Sequence, residues 1–169
     1  MITVILRHRR EYLPKCSLHG LESRTDLSFY TYPQDKLPDL TGYILLKVGA
    51  PPLTKEDADK GLLLIDGTWR LAQVMEKNLP MKLIERSLPS GYKTAYPRRP
   101  TNCPNPEAGL ASVEALYLAH QILGLSVEGL LDHYYWKEPF LNRIPKVTQN
   151  AVFSRRESPA VERSQLAQY

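Results

Sequence analysis

LLLIDGTWR, residues 62–70, decides the fold: four apolar residues of strand length, then Asp66, Gly67 and Thr68, then Trp69 at the head of a helical pattern. A short apolar run bounded by turn residues reads as a strand buried on both faces. Beyond the turn, Trp69, Ala72 and Met75, with Leu71 and Val74 beside them, recur at helical spacing, and the helix stops by Pro80. Strand, turn and helix in this order place polar groups at the carboxyl end of a strand, where open α/β sheets bind ligands. There Asp66 can accept a proton or hold a ligand amine, and Trp69 can supply a flat apolar wall. The same spacing also allows Asp66 or Thr68 simply to cap the helix, with Trp69 packed in the core.

Outward from this stretch the chain continues to alternate. Ile2–Leu6 is a β-branched run with the composition of a buried strand, Phe29–Tyr32 reads as an edge strand closed by Pro33, and Tyr43–Val48 as a further buried strand. TKEDADKG (54–61) reads as a short charged helix with Thr54 at its N-cap. Downstream, Leu88–Glu107 holds five prolines, little periodicity and, after Arg86, no acid before Glu107. A loop of that length inside a compact domain is usually functional or disordered. A helix follows over Val113–Leu123, with Ser112 placed to cap it and Gly124 to end it. Ser126–Trp136 reads as another amphipathic stretch, and residues 154–169 lack apolar periodicity, as a disordered tail does. Strands alternating with helices predict an α/β fold with a largely parallel sheet.

Composition narrows the function classes. The 169 residues suit one domain or two small lobes, and 43% apolar with 24% charged residues is ordinary for a soluble globular protein. Lys and Arg exceed Asp and Glu by 22 to 18, a net charge of +4, which excludes a histone-like polycation but leaves room for a basic face. Fourteen prolines against nine glycines argue against a long helical bundle. Cys16 and Cys103 form neither a disulfide framework nor a zinc site and read as buried thiols of a reducing compartment. His8, His19 and His133 show no metal spacing, so no metal is expected. No apolar run reaches the roughly 18 residues of a membrane span. ITVIL precedes Arg7, His8, Arg9 and Arg10, the reverse of a signal peptide's order, so the expectation is a cytoplasmic protein with no membrane partner.

Two further stretches carry chemistry. In GLASVEALYLAHQILG (109–124), the small residues Gly109, Ala111 and Ser112 let a ligand approach the amides of a helix start. Glu114 in the first turn suits the helix dipole without any catalytic task, and His120 falls on the apolar face as a packed core histidine would. Arg7, Arg9, Arg10 and Lys15 lie near the start, while Lys93, Arg98 and Arg99 lie in the proline loop with Tyr92 and Tyr96 among them. Cations interleaved with aromatic rings suit single-stranded RNA, and they equally suit a solvated surface.

Together these pieces resemble a known group. IDGTW resembles the D-x-[ST]-W signature of the DTW-domain proteins and of the related ribosome-biogenesis rRNA aminocarboxypropyltransferases, which read D-C-S-W there. RSLPSGYKTAYPRR (86–99) is similar to the R-x-L-P…A-x-P segment of the rRNA branch, and LASVEALYLAHQILG to its L-S-x-x-E-A helix followed by Gly. PKCSLHGL (14–21) resembles its K-x-C-T-G-x-x-L loop, with Ser17 in the threonine's place. The motifs run in order from about residue 4 to residue 124. The chain departs from the group in three places: it lacks the cysteine-rich N-terminal metal motif of the tRNA-modifying members, it reads DGTW, and it has TAYPRR where the rRNA branch has A-A-N-P.

The resemblance implies a SPOUT-like sheet with helices on both faces and a C-terminal trefoil knot. It implies an N-terminal α/β lobe over 1–60, a donor-binding lobe over 61–153 and a tail over 154–169. The implied activity transfers the 3-amino-3-carboxypropyl group of S-adenosylmethionine to a uridine or pseudouridine nitrogen in RNA, rRNA being preferred over tRNA as acceptor, and releases methylthioadenosine. Carried over, Asp66 sits beside the reacting centre and Ser17 hydrogen-bonds the methionine arm. Thr68 and Trp69 meet the donor, backbone near Leu88, Leu110, Ala111 and Ser112 holds adenine and ribose, and Tyr96 walls the pocket. The expected assembly is a monomer. A SPOUT-type RNA methyltransferase and a non-catalytic RNA-binding ribosome-assembly module are the alternatives the residues leave open.

Overall fold

The computed structural model describes residues 2–97 and 109–145. Five strands, β1 (Thr3–His8), β2 (Leu27–Tyr32), β3 (Ile44–Leu46), β4 (Leu62–Asp66) and β5 (Ile84–Arg86), form one sheet in the order β2-β1-β4-β3-β5. Every adjacent pair is parallel. The expected edge strand is at the edge, and the two most apolar runs, β1 and β4, pair at the centre.

Period two along the central strands separates two cores. Val4, Leu6 and Leu63 face α1 (Trp69–Lys77), whose Met75 is fully buried against them. Burying a side chain of that size contributes about 2 kcal/mol. Ile5, Leu62 and Leu64 face the other side, against Val113, Leu116 and Leu123 of α2 (Ser112–Leu123) and Phe140 of α3 (Lys137–Leu141). Helices therefore cover both faces. β1, β2 and β3 from 1–60 and β4 and β5 from 61–153 lie in one sheet, with β4 inserted between β1 and β3.

Three local expectations are corrected, and one strand goes unread in the sequence. The 54–61 stretch forms only a 3₁₀ turn, Lys55–Asp57, with Thr54 N–H donating to Asp57 Oδ2 at 3.2 Å. β5 carries no sequence signal of its own: three residues, two of them charged, are recruited by pairing with β3. Ser126–Trp136 forms turns instead of an amphipathic helix, because Gly129 takes a left-handed φ of 75° that interrupts helical hydrogen bonding, though Leu130, Leu131 and Tyr134 still reach the core. Ser112 is the first helical residue of α2 and Ala111 is its N-cap. Gly124 does end α2, at φ 71°. The 154–169 tail and part of the proline loop lie outside the described residues.

The topology selects one place for a site. The chain leaves β1 for β2 on one side, and after β4 it passes to β5 on the other. Connections diverging from two adjacent parallel strands open a crevice at their carboxyl ends. Arg7 and Asp66 are paired positions at those ends.

Candidate active site

Asp66 closes β4 with 3% of its surface exposed, and three donors converge on its carboxylate. Arg7 Nε reaches Oδ2 at 3.0 Å, Cys16 Sγ reaches Oδ2 at 3.2 Å, and Ser112 Oγ reaches Oδ1 at 2.7 Å. Asp66 therefore does not cap α1. Thr68 occupies the N-cap position without a side-chain cap bond, and its side chain is exposed. Burial first, and Asp66's charge second, push the Cys16 thiol up to about 12, so it meets Asp66 as a neutral S–H donor.

Arg7 stands apart from the exposed cations of its neighbourhood. Grouped by position with RNA-facing cations, it is 8% exposed, because its strand is central and its side chain turns toward α2. Its Nη1 bonds Glu22 Oε1 at 2.9 Å and its guanidinium lies 4.7 Å from the Phe29 ring centroid. Burial works to lower its pKa, but the hydrogen bonds to Glu22 and Asp66 outweigh it and the net direction is upward. Its charge is committed inside the protein.

The start of α2 is held from two sides. Ser17 Oγ accepts from Val113 N–H at 3.2 Å, joining the loop after β1 to the helix. Glu114 is completely buried and accepts from Thr94 Oγ1 (2.7 Å), Ala95 N–H (2.8 Å), Ala111 N–H (2.8 Å) and Tyr134 OH (2.9 Å). Arg143 adds a bond to the Thr94 carbonyl. Glu114 thus ties the segment 94–96 to the 111–113 turn. Its first-turn position is real, but its task is to position backbone.

Around this centre the remaining sequence candidates separate. Ala111 is buried, while Leu88, Tyr96 and Leu110 are half-buried against the α2-side core. Trp69 is 42% exposed at the head of α1, so it is not a core residue. Arg9, Arg10, Lys15 and Lys93 are exposed, and Arg98 and Arg99 lie outside the described residues. Residues missed by sequence reasoning are Arg7 and Cys16 as partners of Asp66, and Tyr12 and Leu13, exposed on the turn before Cys16. Cys16 stands inside the PKCS motif, and nothing in the sequence singles out Arg7 for this task. Glu11, half-buried on the same turn, has its carboxyl pushed upward by burial and then by Asp66. Among the described residues no group of three or more His, Cys, Asp or Glu is placed to hold a metal, and no helix is long and apolar enough to cross a membrane.

Sheet order, strand direction and the polar cluster define a parallel α/β protein whose buried polar cluster lies at a topological switch point, the place where open α/β sheets bind ligands. Among solved structures the chain is similar to the SAM-dependent rRNA:acp-transferase Tsr3 from Vulcanisaeta distributa, with a TM-score of 0.65 and 25% sequence identity over 91% of this chain and 85% of that one. No family model and no curated protein matches the chain.

Proposed function

We propose that this chain transfers the 3-amino-3-carboxypropyl group of S-adenosylmethionine to a uridine or pseudouridine nitrogen of rRNA, releasing methylthioadenosine. The observation that carries the reading is the meeting of Asp66 with Cys16 and Ser112. Three motifs that resemble the aminocarboxypropyltransferases converge there, in a chain whose fold is similar to that of Tsr3. A SPOUT-like fold with a trefoil knot belongs to the same reading.

The residues present suit the donor. An exposed indole and half-buried Leu88, Tyr96 and Leu110 offer apolar surface for a nucleoside and a thioether arm. Ser17 and the backbone of Leu110, Ala111 and Ser112 offer polar contacts at a helix start, with Thr68 and Trp69 at the start of α1, just past Asp66. S-adenosylmethionine supplies an activated carbon on a positively charged sulfur. A single carboxylate beside that sulfur avoids the excess negative charge that would favour the ground state over the transition state. Asp66 accepts the proton that the base nitrogen loses as it attacks. Arg9, Arg10, Lys15 and Lys93, with Arg98 and Arg99, meet RNA phosphates.

S-adenosylmethionine labelled separately on the methyl and on the carboxypropyl carbons, incubated with rRNA from cells lacking the protein, tests the reading. Carboxypropyl label should enter RNA. Methyl label in RNA instead would make the protein a methyltransferase, and RNA binding with the donor left intact would make it a non-catalytic module.

A further inference from the structure

The geometry points to Arg7 and Asp66 as joint readers of the imide edge of a uridine-type base, Asp66 accepting the ring N–H and Arg7 Nη2 donating to the adjacent carbonyl oxygen. This rests on the transferase reading and adds the residue that selects the acceptor. Arg7 Nε and Nη1 are bonded to Asp66 and Glu22, and the guanidinium lies over Phe29. Nη2 is buried and has no hydrogen-bond partner among the described residues, on a side chain 10% exposed. Leaving a buried charged donor unpaired is costly, so this N–H marks a place for an incoming acceptor.

Charge decides which acceptor. Asp66 and Glu22 already place two carboxylates on one guanidinium, so a third anion, such as the carboxylate of the methionine arm, would be repelled. A neutral carbonyl oxygen is not. The imide edge of uracil presents N–H beside C=O, and Asp66 beside Arg7 presents an acceptor beside a donor, on neighbouring strands in paired register. At the equivalent nitrogen cytosine has a lone pair and no hydrogen, so it would face the carboxylate without a bond. Rejection by unpaired polar groups is the strong kind of specificity. The pair is only 8% and 3% exposed, so a base that reaches it is stripped of water, where such discrimination is largest.

The chemistry balances. The ring nitrogen forms the N–C bond with its electron pair, the C–S bonding pair leaves with the sulfur of methylthioadenosine, and the ring proton passes to Asp66. As that proton leaves, negative charge spreads onto the carbonyl oxygen, where Nη2 meets it. Donors aimed at developing charge act mainly on the chemical step.

The test is a cycle between enzyme and substrate. Wild-type protein and Arg7→Lys are each given carboxypropyl-labelled S-adenosylmethionine and rRNA in which uridine is normal, 2-thiolated or 4-thiolated, sulfur being a poor acceptor. Arg7→Lys should lower kcat about 100-fold, with donor Kd and RNA KM within about threefold. Thiolation at the contacted position should slow wild type about tenfold and leave the variant unaffected, a coupling that a merely structural ion pair would not produce. Equal thio effects in both proteins overturn the proposal, as does a fall in donor affinity that accounts for the lost rate. If Arg7→Lys fails to fold, wild type alone decides, because rates undiminished by either sulfur overturn the proposal. No transfer by wild type to unsubstituted rRNA overturns the transferase reading as well, whereas wild-type transfer with an unaffected variant overturns only the role of Arg7.

Discussion

Asp66 and Trp69 stand three residues apart, yet their environments ask different things of them. Asp66 is buried under three donors, so Asp66→Ala leaves Arg7 Nε and Ser112 Oγ without their shared acceptor as well as removing the proposed base. Turnover should fall about 100-fold or more while donor affinity changes by less than tenfold, read by single-turnover transfer beside calorimetry. Trp69 is 42% exposed, so Trp69→Ala should cost little stability and weaken donor binding about tenfold. Calorimetry and thermal unfolding of the same variant check both halves. Asp66 was legible in the sequence because a strand ending in Asp-Gly-Thr before a helix has few alternatives. Its partners were not legible, because Arg7 and Cys16 lie 59 and 50 residues away and only strand pairing brings them in.

Among the elements, α2 depends most on one side chain. Glu114 gathers two backbone amides, a threonine hydroxyl and a tyrosine hydroxyl, and Glu114→Gln turns an acceptor toward those donors into an amide that must also donate. We expect a loss of about 3 kcal/mol in denaturant unfolding, against about 1 kcal/mol for Tyr134→Phe, which removes one donor and leaves the carboxylate bonded. The opposite end of the helix carries a pH dependence. His120 is 2% exposed, with Nδ1 against the Ser126 carbonyl at 3.0 Å and Nε2 against Thr3 Oγ1 at 2.9 Å. Burial lowers its pKa, opposed by the Ser126 bond, so it stays neutral in the fold while the unfolded chain titrates near the ordinary imidazole value of 6.5. Stability is fully present above that value. It falls with pH below it by up to about 1.4 kcal/mol per unit, until the lowered folded pKa is passed. Urea unfolding at pH 7, 6 and 5 should show the decline in wild type and a flatter profile in His120→Gln.

For the molecule as a whole, the modest net charge resolves into places. Arg7 is internal, while Arg9, Arg10 and Lys15 are exposed just past the carboxyl end of β1, beside the crevice. Replacing these three by Ala should weaken rRNA binding across sequences and reduce the slope of log K against log salt by about 2, measured by filter binding or fluorescence anisotropy. An unchanged slope would place the RNA elsewhere. The sequence by itself determined that the fold is α/β with largely parallel strands, that Ile2–Leu6 and the run before Asp66 are buried strands, and that Asp66 stands at the carboxyl end of one. Those conclusions rest on apolar runs and turn residues, whose consequences are local. Only the tertiary structure decided that β5 is a strand, that 126–136 forms turns, that Glu114 clamps backbone, and that Arg7 is buried against Asp66 rather than exposed. Each depends on which residues distant in the chain come together, and hydrogen bonding across a sheet is set by register and packing, which a run of residues does not encode on its own.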